Sequence, residues 1–133
     1  MTEIKSISEK LAGRTILVVE DNYISFKLMQ AILKGSGLAL FHADNGETAV
    51  QLCLDHPEID LVVMDIMLPI MDGLTATRLI LEKRPDLPVI AATANAFAED
   101  RDRCMQAGCT DYITKPIAID RLYDMLNTYI RTE

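Results

Sequence analysis

At 133 residues, half apolar and a quarter charged, the chain has the size and make-up of one soluble domain able to bury a sizeable core. Its formal charge of −7, from 13 basic and 20 acidic residues, argues against a direct nucleic-acid or anionic-membrane surface, since both reward clustered lysine and arginine. Apolar runs fall short of the roughly 20 residues that cross a bilayer and no basic-then-apolar leader opens the chain, so a cytoplasmic protein without membrane insertion is expected.

Residues 1–13 are polar apart from Ile4, Ile7 and Leu11, and Gly13 interrupts them. They read as a leader or linker remnant ahead of a domain spanning 14–131. Thr15-Ile-Leu-Val-Val19 is a short branched apolar run, the pattern of a strand buried on both faces. A helix follows, with Ile24, Leu28, Met29, Ile32 and Leu33 as its apolar stripe and Gly35-Ser-Gly37 as its stop. Leu38-Ala-Leu-Phe41 reads as a second strand, and Asn45-Gly46 opens a helix reaching Leu54, with Pro57 beyond it. Leu61-Val-Val-Met64 is the third buried run. A loop through Pro69 and Gly73 leads into a helix carrying Leu74, Arg78 and Leu81, which ends at Arg84-Pro85-Asp-Leu-Pro88. Val89-Ile-Ala-Ala92 is the fourth strand. The acidic, weakly amphipathic stretch from Phe97 to Ala107 should be the least firmly docked helix, with Gly108 just past its end. Asp111 to Thr114 forms the fifth strand. Ile119, Leu122, Met125, Leu126, Tyr129 and Ile130 give the last helix its stripe.

The three cysteines, Cys53, Cys104 and Cys109, are odd in number and lack C-x-x-C spacing, so they read as reduced, partly buried thiols. His42, in or after a strand, and His56, before Pro57, read as packed or solvated side chains.

Strands alternating with helices imply an α/β fold with a parallel sheet covered on both faces. A flavodoxin-like (βα)5 sandwich of order 2-1-3-4-5 is expected, by analogy with known doubly wound sheets. Right-handed crossovers place the C-terminal ends of such strands along one edge, where ligands bind.

The polar residues sit at those ends: Glu20-Asp21-Asn22 after the first strand, Asp65 after the third, Thr93 after the fourth, Lys115 after the fifth. Taken alone, Glu20 and Asp21 could serve the start of the following helix, with Asp21 or Asn22 as its cap. Beside Asp65 the argument changes. Three carboxylates repel unless protonated or bridged by a cation, and one lysine leaves the pocket net negative. Oxygen donors without histidine or cysteine suit a hard ion, and few protein ligands with room for water suit Mg²⁺ better than Ca²⁺. Asp65 is expected to stand exposed against a dry wall, able to attack phosphorus while the metal and Lys115 stabilise the transferring oxygens. Thr93 could bond a phosphoryl oxygen, or merely its own backbone. A cis Lys115–Pro116 bond fits this junction.

Ile16-Leu-Val-Val-Glu-Asp-Asn22, Val63-Met-Asp-Ile-Met-Leu-Pro-Ile-Met-Asp-Gly73, Ala91-Ala-Thr-Ala-Asn95 and Asp111-Tyr-Ile-Thr-Lys-Pro116, in this order, resemble the receiver domain of response regulators over Thr15 to Ile130. The resemblance implies that Asp65 is the phosphoacceptor, taking its phosphoryl group from a histidine kinase or histidine-phosphotransfer protein. It further implies that Asp21 ligates Mg²⁺ directly, Glu20 acts through water, and the Met67 carbonyl completes the protein ligands beside Asp65. Lys115 would pair with the phosphoryl group, Thr93 would turn toward it, and Tyr112 would be the switch aromatic that moves inward. Met67 and Asn95 occupy positions that tune phosphoryl lifetime in the family. Glu20 departs from a common aspartate, and Leu68-Pro69 from the commoner Met-Pro.

On this reading the chain signals through its fourth helix, fifth strand and fifth helix, which a downstream protein reads. The alternative is a Mg²⁺-dependent phosphohydrolase with an aspartyl-phosphate intermediate. That chemistry calls for an acid/base aspartate two residues after the nucleophile, where this chain has Met67. A flavodoxin-like cofactor module fits less well, because the first strand leads into acids rather than a glycine-rich phosphate loop. The stretch ending Leu11-Ala-Gly-Arg14 resembles linkers that feed terminal receivers of hybrid histidine kinases; a freestanding regulator is the other context.

Overall fold

The computed structural model describes residues 11–94 and 97–130. Ile4 and Ile7 of the leader, and Asn95, lie outside the described residues. Strands β1 (Thr15–Val19), β2 (Ala39–Ala43), β3 (Leu61–Asp65), β4 (Val89–Thr93) and β5 (Asp111–Thr114) alternate with helices α1 (Tyr23–Leu33), α2 (Gly46–Asp55), α3 (Gly73–Lys83), α4 (Ala98–Gln106) and α5 (Ile119–Tyr129). The strands form one parallel sheet in the order β2-β1-β3-β4-β5, as expected.

Every residue of β1, β3 and β4 is buried, which is why these strands are unbroken apolar runs rather than alternating ones. Successive side chains still point to opposite faces. Leu17, Val19, Val62, Met64, Val89 and Ala91 meet Ala49, Cys53, Leu74, Ile80 and Cys104 of α2, α3 and α4. Ile16, Val18, Val63, Ile90 and Ala92 meet Phe26, Met29, Leu33, Leu122 and Leu126 of α1 and α5. The sheet thus divides the apolar interior into two layers. Leu11, ahead of the expected boundary at residue 14, is fully buried in the second layer.

Three helix starts follow from local chemistry. Asn22, Asn45 and Asp72 each accept the N–H of the residue three further on, at 3.0, 2.9 and 2.9 Å. Phe97 and Ala118 head α4 and α5 without a side-chain cap. Gly108, at φ +104°, ends α4 in a turn where its own N–H reaches Met105 O and the Cys109 N–H reaches Cys104 O.

Two expectations need correction. The buried stripe of α1 is Phe26, Met29 and Leu33, while Ile24 and Leu28 are 79% and 62% exposed. Spacing alone does not tell a face turned to the core from an apolar face turned outward. β2 runs on to Ala43 because it is an edge strand, where polar His42 can sit half-buried. α4 matches its expected weak docking: Cys104 is its buried residue.

One unforeseen link ties the α2–β3 turn to the end of α3. The Arg84 guanidinium donates to the carbonyls of Cys53, His56, Pro57 and Ile59 at 3.2, 3.4, 3.2 and 2.7 Å. A planar fork of donors can satisfy several carbonyls that a helix end leaves over.

Candidate functional site

Because the strands run parallel and in register (Val19 beside Met64, Asp65 beside Ala92, Thr93 beside Thr114), the residues that close them collect at one edge. Glu20 continues β1 by donating its N–H to Ala43 O at 2.9 Å. Asp65 closes β3, and Thr93 closes β4. Lys115 follows β5, its N–H bonded to Thr93 O at 2.8 Å, and a cis peptide joins it to Pro116 as the sequence suggested.

The Lys115 ammonium lies 3.0 Å from Glu20 Oε1 and 3.0 Å from Asp65 Oδ2, tying three strands together. Asp65 Oδ1 accepts the Met67 N–H at 3.0 Å, and Glu20 Oε2 accepts the Asn22 N–H at 3.2 Å. Asp65 is accordingly 5% exposed rather than standing free, which corrects the expectation of an exposed carboxylate. Asp21 is exposed, yet it, Glu20 and Asp65 each offer an oxygen within 4.8 Å of the others. Thr93 is buried beside them, at 3% exposure. The Met67 side chain points outward, 77% exposed, while its backbone stays at Asp65. Tyr112 lies half-buried on β5 with the Arg101 guanidinium of α4 5.4 Å above its ring.

Burial raises the Glu20 carboxyl above its ordinary value, against the opposing pull of Lys115 and the Asn22 N–H. Burial alone would lower Lys115, but its bonds to Asp65 and Glu20 outweigh that and hold it above the usual lysine value. Three carboxylates around one ammonium remain net negative, and all the side-chain donors are hard oxygens. This set fits a small divalent cation such as Mg²⁺.

Residues singled out by strand-end position therefore converge: Glu20, Asp21, Asp65, Thr93 and Lys115 share the edge, with Met67 alongside. Two participants escaped the sequence. The Asn22 N–H grips Glu20, and His42 Nε2 lies 2.8 Å from the Glu20 carbonyl oxygen. The signal for the second was a polar residue near the end of an edge strand, in register with Val18.

Comparison with known proteins settles the family. The model of the response regulator receiver domain matches residues 16–127. The chain belongs to that family. As a receiver it is similar to the polar-differentiation response regulator DivK of Brucella anthropi, 35% identical over 119 residues, covering 88% of this chain and 96% of the relative. Among solved structures it resembles the receiver domain of the sensor histidine kinase PA1611 of Pseudomonas aeruginosa PAO1, with 37% identity and a TM-score of 0.81 over 89% of this chain and 98% of that one. That crystal structure has a magnesium ion coordinated in its active-site cleft. The receiver domain of Ssk1, co-crystallised with the histidine phosphotransfer protein Ypd1 of Saccharomyces cerevisiae, matches at 26% identity and a TM-score of 0.82, over 90% of each chain. The protein is thus a receiver domain of two-component signal transduction.

Proposed function

We propose that Asp65 is the phosphoacceptor of this receiver, and that 14–131 form the signalling unit with 1–13 as a leader. The observation that carries the reading is the Lys115 ammonium held 3.0 Å from both Asp65 and Glu20, with Asp21 close by. Asp21, Asp65 and the Met67 carbonyl would hold Mg²⁺, with Glu20 acting through water. Bound there, the ion would neutralise charge on the phosphoryl oxygens. An Asp65 oxygen forms the new bond to phosphorus as the bond to the donor histidine nitrogen breaks, its electron pair returning to the ring. Lys115 pairs with one phosphoryl oxygen, and the Thr93 hydroxyl turns toward another. The phosphohydrolase alternative needs an acid/base group two residues after Asp65, and the Met67 side chain carries no such proton. The chemistry is uptake and slow loss of the chain's own phosphoryl group.

The donor is a histidine kinase or a histidine-phosphotransfer protein. Its docking surface is the apolar rim of the edge: Tyr23, Ile24 and Leu28 on α1, and Met67 and Ile70 after β3, all more than 60% exposed. Beside it a cavity of about 390 Å³ opens between α1 and the turn after β5, lined by Leu28, Met29, Ile32, Pro116 and Ile117. Movement of Tyr112, which carries Arg101 on its ring, would shift α4 and alter the α4–β5–α5 face read by a downstream protein. Among the described residues no helix is long and apolar enough to cross a membrane. With three free cysteines, all buried, this supports a reducing cytoplasm.

Intact-mass measurement with acetyl phosphate and Mg²⁺ tests the reading. One adduct of about 80 Da is expected, abolished by Asp65→Asn or by EDTA. An adduct that survives Asp65→Asn places the acceptor elsewhere; no adduct on the wild type removes the phosphoacceptor reading.

A further inference from the structure

Just past the end of β1 the ladder with β2 gives out. The Glu20 N–H still bonds to Ala43 O, but at Asn45 the second strand's chain leaves the ladder to cap α2. A parallel ladder would next present the Asn45 N–H to the Glu20 carbonyl. A side chain stands there instead: His42 Nε2, 2.8 Å from that oxygen. A carbonyl only accepts, so the imidazole carries its proton on Nε2. The ring is held in turn by Phe26 of α1, stacked at 3.8 Å between centroids and 10° between planes. Phe26 is itself buried in the α1–α5 layer.

The carbonyl gripped in this way belongs to the peptide that joins Glu20 to Asp21. Its plane sets the direction in which the two acids leave the chain. Glu20 has other anchors in Lys115 and Asn22, whereas Asp21 is exposed and depends on the backbone that precedes it. We infer that His42 is a positioning residue for the acidic pocket: it fixes the Glu20–Asp21 peptide so that both carboxylates face Asp65. This rests on the reading of the pocket as a divalent-cation site. The histidine does not touch the ion; it reduces the reorganisation that Asp21 undergoes when a cation binds.

The test separates the hydrogen bond from the packing. His42→Phe keeps an aromatic ring for Phe26 and removes the donor; His42→Gln supplies an N–H without the ring. Mg²⁺ affinity of the full chain is measured by calorimetric titration, alongside thermal melting without metal. His42→Phe is expected to weaken Mg²⁺ binding about tenfold, at the lower end of what second-layer partners of metal ligands contribute. Its melting temperature should stay within a few degrees of wild type. His42→Gln should recover affinity to within about threefold of wild type through the restored donor. Wild-type affinity in His42→Phe, or equally weak binding in His42→Gln, overturns the inference. Should His42→Phe fail to fold, His42→Met is judged by the same criterion. A wild-type chain that binds no Mg²⁺ at millimolar concentration instead overturns the cation reading of the pocket, an outcome distinct from the other two.

Discussion

α3 and α4 cover the same face of the sheet and are held to it very differently. α3 starts on Asp72, which accepts both the N–H and the hydroxyl of Thr75, and it buries Leu74, Ala76, Thr77 and Ile80. Its first residue, Gly73, lies so close to the Asp65 and Ile66 backbone that a Cβ would not fit. α4 starts on Phe97 with no side-chain cap, buries Cys104, and touches β5 through Arg101 over Tyr112. The difference assigns roles to the two sides of the site. The backbone around Asp65 is anchored by close packing, while the helix after Thr93 has fewer buried contacts, the condition under which local opening costs least.

Gly73→Ala should break the firm side most severely, because the clash is with backbone. A loss of about 3 kcal/mol or more is expected in urea unfolding. Next, Ile80→Ala should cost about 3 kcal/mol through the cavity it leaves, whereas Met105→Ala on α4, at a position 47% exposed, should stay within about 0.5 kcal/mol. Equal losses at the two positions would erase the contrast. Asp72→Ala should cost about 1 kcal/mol at neutral pH as a lost cap. The Thr75 N–H, outweighing partial burial, holds the Asp72 carboxyl below its ordinary value of 3.8. Its contribution is therefore complete above that value and fades as pH falls through the lower folded value, so wild-type and variant stabilities should converge in acid. The smallest effect is a gain. Phe97→Ser would give α4 the missing cap and slow hydrogen exchange along it about twofold, worth about 0.5 kcal/mol.

A residue just ahead of α3 sharpens the contrast further. Ile70, in the turn after Asp65, has φ +68°, a conformation that costs a branched side chain roughly 1–2 kcal/mol, yet it is 78% exposed. Its side chain buries little in return within the chain. That is consistent with the proposed docking rim, of which Ile70 is a part.

The sheet was legible because burial on both faces leaves strands as uninterrupted apolar runs, and parallel topology turns strand-end acids and a lysine into neighbours. What stayed hidden depended on side chains reaching across the chain. Phe26 displaced Ile24 and Leu28 from the core because periodicity reports a face and not its partner. Asp65 is enclosed by Lys115 and by a backbone N–H two residues on, neither of which its apolar flanks announce. The Arg84 fork and the His42 bond join segments some 20 or more residues apart, and no local pattern carries them.

Leu11 has a consequence for traffic to and from the molecule. Its carbonyl holds Arg14, the Gly13 N–H holds Gly37, and its side chain is sealed inside the α1–α5 layer, all at the rim where strands begin. Leu11 itself is thus fixed at the pole opposite the acidic mouth, which leaves the approach to Asp65 clear of this anchor.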